Sequence, residues 1–180
     1  MKISREQTAC LVIDIQERLV PVIHEKEALL KNCGILIEGL QALGIPMLVS
    51  QQYTKGLGET VPEISSLFSD FGFIEKRDFS CCGEPEVMLQ LNMTGAKNII
   101  VCGIESHVCV LQTVLDLQEN GFNPIVVTDA MSSRTPYSIE IAKERFRYEG
   151  VLMTSVESLL FELTRSSAAP GFKVISKLVK

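Results

Sequence analysis

Histidine is scarce in this chain, with two among 180 residues, His24 and His107. There is also no pair of C-x-x-C spacings, so the usual zinc-ligand patterns are excluded and no metal is expected. No uninterrupted apolar stretch approaches the roughly 20 residues of a membrane-spanning helix, so no membrane partner is expected. The opening MKISREQTACLVID lacks the long apolar core of a signal peptide, and nothing in it suggests export. A basic stripe is missing too. Seventeen lysines and arginines face 22 acids, a net charge of −5, which argues against nucleic acid as a partner. Repeats, low-complexity tracts and dividing linkers are absent. Gly56-x-Gly58 has neither a third glycine nor a following helix start, so it is no dinucleotide fingerprint, and no cofactor is expected.

What is present is a globular composition, 46% hydrophobic and 22% charged. A chain of this length suits one domain, residues 1–180, with a single sizeable core. Its last segment, about 164–180, ends in the amphipathic FKVISKLVK, which reads as a docking tail and a candidate interface element. Six cysteines are scattered: Cys10 and Cys102 in β-type runs, Cys33 in a helical pattern, Cys81 and Cys82 adjacent, and Cys109. Reduced thiols in the cytoplasm are the simplest reading.

Apolar β-rich runs alternate with helical patterns along the chain. Strands are predicted at Ala9–Ile13, Ile45–Ser50, Phe73–Lys76, Lys97–Cys102, Pro124–Thr128 and Val151–Thr154. Helices are predicted over Lys26–Leu43, Glu84–Met93, Ser106–Asn120, Ser138–Tyr148 and Val156–Leu163. Gln51–Phe68 reads as a long polar loop. This alternation implies parallel βαβ units with helices on both faces, a three-layer α/β/α fold.

In such sheets functional groups gather beyond the carboxyl ends of the strands. Asp14 follows the first strand in LVIDIQ, Lys76 ends the third in FIEKRDFS, and Cys109 opens the helix after the fourth in GIESHVCV. An acid, a cation and a thiol thus come to one sheet edge. A thiol in the first turn of a helix meets unpaired N–H groups and the positive end of the helix dipole, both of which favour the thiolate. Plainer readings remain for each: Cys109 as a packing cysteine, Asp14 as a turn cap, Lys76 as part of a solvated cluster with Glu75, Arg77 and Asp78.

Together with VVTDAMSSR, these motifs, in this order and spacing, resemble the isochorismatase-like cysteine hydrolases, in particular a small single-domain branch. The resemblance covers about residues 6–163. It implies a Rossmann-like, six-stranded, mainly parallel sheet in the order 3-2-1-4-5-6. It implies a catalytic triad of Asp14, Lys76 and Cys109, and a non-proline cis peptide between Ile104 and Glu105. The N–H groups of Glu105 and Cys109 would then form an oxyanion hole. Asp14 would move the thiol proton, Lys76 would hold carboxylate and sulfur in register and lower the thiol's pKa, and Cys109 would attack a carbonyl to form a thioester. Homo-oligomers are also implied.

Departures from the family narrow the reading. SQQYTKGLGET carries none of the histidines of the metal-dependent nicotinamidases, and the cysteine is one that isochorismatases proper generally lack. A small amide or related carbonyl compound is therefore the expected substrate. Gln16, Gln52, Tyr53 and Cys81 are candidate pocket residues, with the Gln16 amide also placed to pin a loop. Arg134 reads as tying the loop after the fifth strand to the core or to a neighbouring subunit, and His107 as structural or exposed. The alternative is a catalytically weak scaffold or small-molecule-binding protein that keeps the hydrolase fold.

Overall fold

The computed structural model describes residues 2–180. Six strands form one sheet: β1 Thr8–Ile13, β2 Met47–Gln52, β3 Ile74–Lys76, β4 Asn98–Ile104, β5 Asn123–Ser132 and β6 Leu152–Thr154. Every neighbouring pair is parallel, and the order is β3-β2-β1-β4-β5-β6. The helices are α1 Lys26–Ala42, α2 Thr54–Leu57, α3 Pro62–Ser65, α4 Pro85–Met93, α5 Leu111–Glu119, α6 Pro136–Tyr148, α7 Val156–Thr164 and α8 Phe172–Leu178.

The central strands β1 and β4, TACLVI and NIIVCGI, are buried along their whole lengths. A strand covered on both faces needs such a continuous apolar run. Its side chains alternate between two cores, as the period of two requires. Cys10, Val12, Ile100 and Cys102 pack in one core with Leu36 of α1, Leu160 of α7 and Ile175 of α8. Ala9, Leu11, Ile99 and Val101 pack in the other with Leu91 of α4, Val114 of α5 and Phe146 of α6. This is the predicted three-layer arrangement. The order reverses between β1 and β4, so the crevice of the sheet opens at their carboxyl ends.

Several boundaries differ from the sequence reading. β2 starts at Met47 and runs to Gln52, β3 starts at Ile74, β4 extends to Ile104, and β5 spans Asn123–Ser132. The polar extensions are strand because a partner lies alongside: Gln51 and Gln52 pair with Glu75 and Lys76, and Ile104 with Ser132. Between Val101↔Val126 and Gly103↔Met131, β5 bulges. The predicted loop Gln51–Phe68 holds α2 and α3. The C-terminal segment read as a docking tail folds back on its own chain, with Ile175 of α8 fully buried in the core that α1 and α7 share.

Gly103 fixes the closest approach of the two central strands. Its φ is +116°, and a Cβ there would lie 2.1 Å from the Ile13 carbonyl oxygen. Only glycine lets β4 pass the end of β1 at the residue before Asp14. Gly103→Ala is expected to cost about 2–4 kcal/mol, through forbidden backbone geometry and a clash with main chain. Gly95 also has positive φ, +68°, but open space around its would-be Cβ. Gly95→Ala is the control and should cost about 1 kcal/mol in urea unfolding.

Candidate active site

Asp14 leaves β1 at a φ of 52°, in the left-handed region, with its N–H on the Ser50 carbonyl at 3.2 Å. Its carboxylate is fully buried and pairs through Oδ2 with Lys76 Nζ at 2.7 Å. Oδ1 accepts the Ser50 hydroxyl at 2.8 Å. Burying two charges costs several kcal/mol per ion, so such a pair persists only when its remaining polar atoms are satisfied. Lys76 meets that condition. Its ammonium also faces Gln52 Oε1 at 2.7 Å, the Phe79 carbonyl at 2.9 Å and the Asp78 carbonyl at 3.2 Å. Burial works to lower the Lys76 pKa, but Asp14, helped by the neighbouring Cys81 and Cys109, outweighs it, and the net displacement is upward. Lys76 is therefore a fixed cation with its three protons already engaged, unsuited to proton shuttling.

Cys109 is brought to this pair by an unusual turn. Ser106–Val110 is π-helical, and α5 begins only at Leu111. The Glu105 carbonyl accepts from Val108 N–H at 3.0 Å and from Val110 N–H at 3.2 Å. In an α-helical register that carbonyl would take the Cys109 N–H instead. The thiol thus sits in a widened turn rather than in the first turn of a regular helix, a correction to the sequence reading. The peptide before it, Ile104–Glu105, is cis. The Glu105 carboxylate accepts both the backbone N–H and the Nε–H of Arg134, at 3.1 and 3.0 Å. His107 Nδ1 lies 3.0 Å from Ser133 Oγ. Arg134 therefore ties the loop after β5 to the residue before the π-helical turn.

The thiol is 7% exposed, and its pKa is pushed up to about 12. Burial is the main cause, followed by the negative charge of Asp14; Lys76 pulls the other way without offsetting them. This reverses the expectation of a resting thiolate. In a dry site beside a carboxylate a second negative charge is disfavoured.

The pocket candidates separate. Gln16 is buried, its Nε2 on the Gln52 and Gly58 carbonyls at 3.0 and 2.7 Å and its Oε1 on the Gln52 N–H at 2.7 Å. It pins the loop. Gln52 is spent on Lys76 through Oε1 and on the Arg77 carbonyl through Nε2. Cys81 is fully buried, its Sγ 3.4 Å from Ser50 Oγ and its N–H on Thr113 Oγ1 at 2.9 Å. Tyr53 alone of the four is exposed, with the Arg77 guanidinium 4.1 Å above its ring. Ser50 and Thr113 were not singled out from sequence. The one available signal was a hydroxyl at the carboxyl end of an otherwise apolar run, MLVS. Among the described residues, no group of three His, Cys, Asp or Glu is arranged to hold a metal ion.

The all-parallel sheet covered by helices on both faces defines a three-layer α/β/α fold, with an acid, a lysine and a cysteine at its switch point. The isochorismatase domain model matches residues 8–158, and the chain belongs to the isochorismatase family of hydrolases. It is 40% identical over 173 residues to the secreted isochorismatase effector Isc1 of Phytophthora sojae, covering 94% of this chain and 82% of that one. Isochorismatase domain-containing protein 2 of Danio rerio is 33% identical over 178 residues, covering 99% and 89%. The MAR1 ribonuclease structure from Caenorhabditis elegans superposes with a TM-score of 0.94 at 35% identity, covering 99% and 92%. The YcaC gene product of Escherichia coli, an octameric hydrolase of unknown specificity, shares the fold, with a TM-score of 0.92 at 22% identity over 99% and 90%.

The position of the thiol pKa sets a pH dependence. A pKa raised from the ordinary thiol range to about 12 means the reactive thiolate fraction keeps growing through pH 10 and beyond. Alkylation of Cys109 by iodoacetamide, followed by peptide mass spectrometry, should rise steadily up to pH 11. A plateau by pH 9, as for an open thiol, would show that the site does not suppress the thiolate.

Proposed function

We propose that the chain is a cysteine hydrolase, with Asp14, Lys76 and Cys109 as its triad, acting on a small amide or related carbonyl compound. The observation that carries this reading is the dry Asp14–Lys76 pair with the buried Cys109 thiol near it, its pKa pushed up by burial and by the charge of Asp14. A thiol whose pKa is pushed up to about 12 is a poor preformed nucleophile and needs a base nearby. Asp14 supplies one.

The steps follow from these groups. As Cys109 Sγ bonds to the carbonyl carbon, its proton passes to Asp14, and the carbonyl π electrons move to oxygen. The N–H groups of Glu105 and Cys109 stabilise that oxyanion, the wide turn having released Cys109 from the Glu105 carbonyl. Collapse breaks the C–N bond, the leaving nitrogen takes the proton from Asp14, and a thioester remains. Water then attacks, its proton goes to Asp14, and collapse breaks the C–S bond while Asp14 returns the proton to sulfur. Lys76 keeps its protons throughout and holds the carboxylate in place.

The ribonuclease relative raises RNA as another substrate. Binding RNA needs lysine and arginine on phosphates, and a chain of net charge −5 whose Lys76 is buried offers a poor footing for it. A reducing compartment such as the cytoplasm suits the six unpaired thiols. We propose association of copies as well, on the precedent of the octameric bacterial relative. Sedimentation should then give a mass above that of one chain.

A panel of small amides and carbamoyl compounds, with an RNA oligonucleotide alongside, provides the test. Turnover of a member of the panel should fall at least about 1,000-fold in Cys109→Ala, and acid-quenched wild type should carry an acyl mass on the Cys109 peptide. Turnover that survives Cys109→Ala, or RNA cleavage without amide turnover, would reject the mechanism. Ligand binding with neither reaction would favour the scaffold alternative.

A further inference from the structure

The two oxygens of Asp14 occupy different settings. Oδ2 faces the Lys76 ammonium at 2.7 Å but receives no aligned hydrogen bond from the protein. Oδ1 accepts the Ser50 hydroxyl at 2.8 Å. A hydroxyl has one proton to give. With that proton on Oδ1, Ser50 Oγ can only accept from its other neighbour, Cys81 Sγ, at 3.4 Å. The direction of the chain is thereby fixed: Cys81 S–H donates to Ser50, and Ser50 O–H donates to Asp14. The far end is anchored too, because the Cys81 N–H bonds Thr113 Oγ1, four residues beyond Cys109 on the following helix. Every member of this relay is buried.

We propose that Ser50, backed by Cys81, is a positioning residue that divides the work of the Asp14 carboxylate. Oδ1 is the anchored oxygen, and Oδ2 is the one that takes the Cys109 proton. This rests on the nucleophile reading above. The ionisable groups facing the carboxylate are Lys76 from the end of β3, Cys81 from the turn before α4, and Cys109 from the π-helical turn. Ser50 is the neutral donor among them. Its hydrogen bond shares the carboxylate's negative charge, which makes a thiolate at Cys109 less costly to form, and it stops the carboxylate rotating, leaving Oδ2 without a hydrogen bond and open to a proton.

The substrate being unidentified, iodoacetamide is the probe. Carbamidomethylation of Cys109 in the full chain is timed by peptide mass spectrometry from pH 6 to 11. Ser50→Ala should slow it about tenfold and move the pH curve upward, while Ser50→Thr, which keeps the hydroxyl, should restore both. Cys81→Val should slow it about threefold, with Cys81→Ser close to wild type. A wild-type rate and curve in Ser50→Ala, or a Ser50→Thr as slow as Ser50→Ala, would overturn the proposal. Should Ser50→Ala fail to fold, the two Cys81 variants decide: equal rates for both overturn it. If wild-type Cys109 does not label at any pH while half-buried Cys82 does, the nucleophile reading fails instead.

Discussion

The buried ion pair between Asp14 and Lys76 is the constraint around which this site is built. Two full charges in a dry interior need hydrogen-bond partners around them, and here Asp14 Oδ2 has the ion pair but no hydrogen bond. That requirement recruits Ser50 and Gln52 from β2 and the Asp78 and Phe79 carbonyls from the turn after β3. Gln52 must in turn be held, which commits Gln16 to the backbone around it. A chain of neutral residues is thus fixed in place to support one carboxylate and one ammonium. Gln16 and Gln52, pocket candidates by sequence, take part in this support.

The same pair sets the chemical state of its neighbour. Beside a carboxylate in a low-dielectric site, the Cys109 thiol keeps its proton. In the proposed mechanism the site holds its nucleophile in the protonated form and couples activation to proton transfer at the moment of attack. A permanently charged thiolate would be more exposed to adventitious oxidation and alkylation. The backbone that brings Cys109 to this end of the sheet has two special features. Gly103 lets β4 pass the end of β1, and the π-helical turn delays α5 until Leu111. Glu105, held by Arg134, ties that turn to the loop after β5.

Much of the fold was legible because its rules are local. Six apolar runs alternating with helical patterns yield parallel strands, and the resemblance supplied their order. The errors fall at strand ends. Gln51–Gln52 and Met131–Ser132 have no strand-like periodicity and pair only because neighbours are present. Asp14, Lys76 and Cys109 were legible as a group because each stands at a strand end or just beyond it. Ser50 was not, since a hydroxyl in a strand becomes significant only once it is known to lie 2.8 Å from a buried carboxylate. Gln52 and Cys81 read as pocket residues, but their bonds to Lys76, Arg77, Ser50 and Thr113 follow only from the tertiary structure.

The sequence by itself determined which chemical groups reach the edge of the sheet: strand periodicity and chain direction place residues along an element and at its end. Tertiary structure alone decided their charge states and which of them touch. Desolvation and Coulomb terms depend on distances between residues far apart in the chain, as with Asp14 and Lys76 at 2.7 Å. The thiol shows the difference most plainly. Its place at a helix start predicted an anion, and burial beside Asp14 made it a neutral acid.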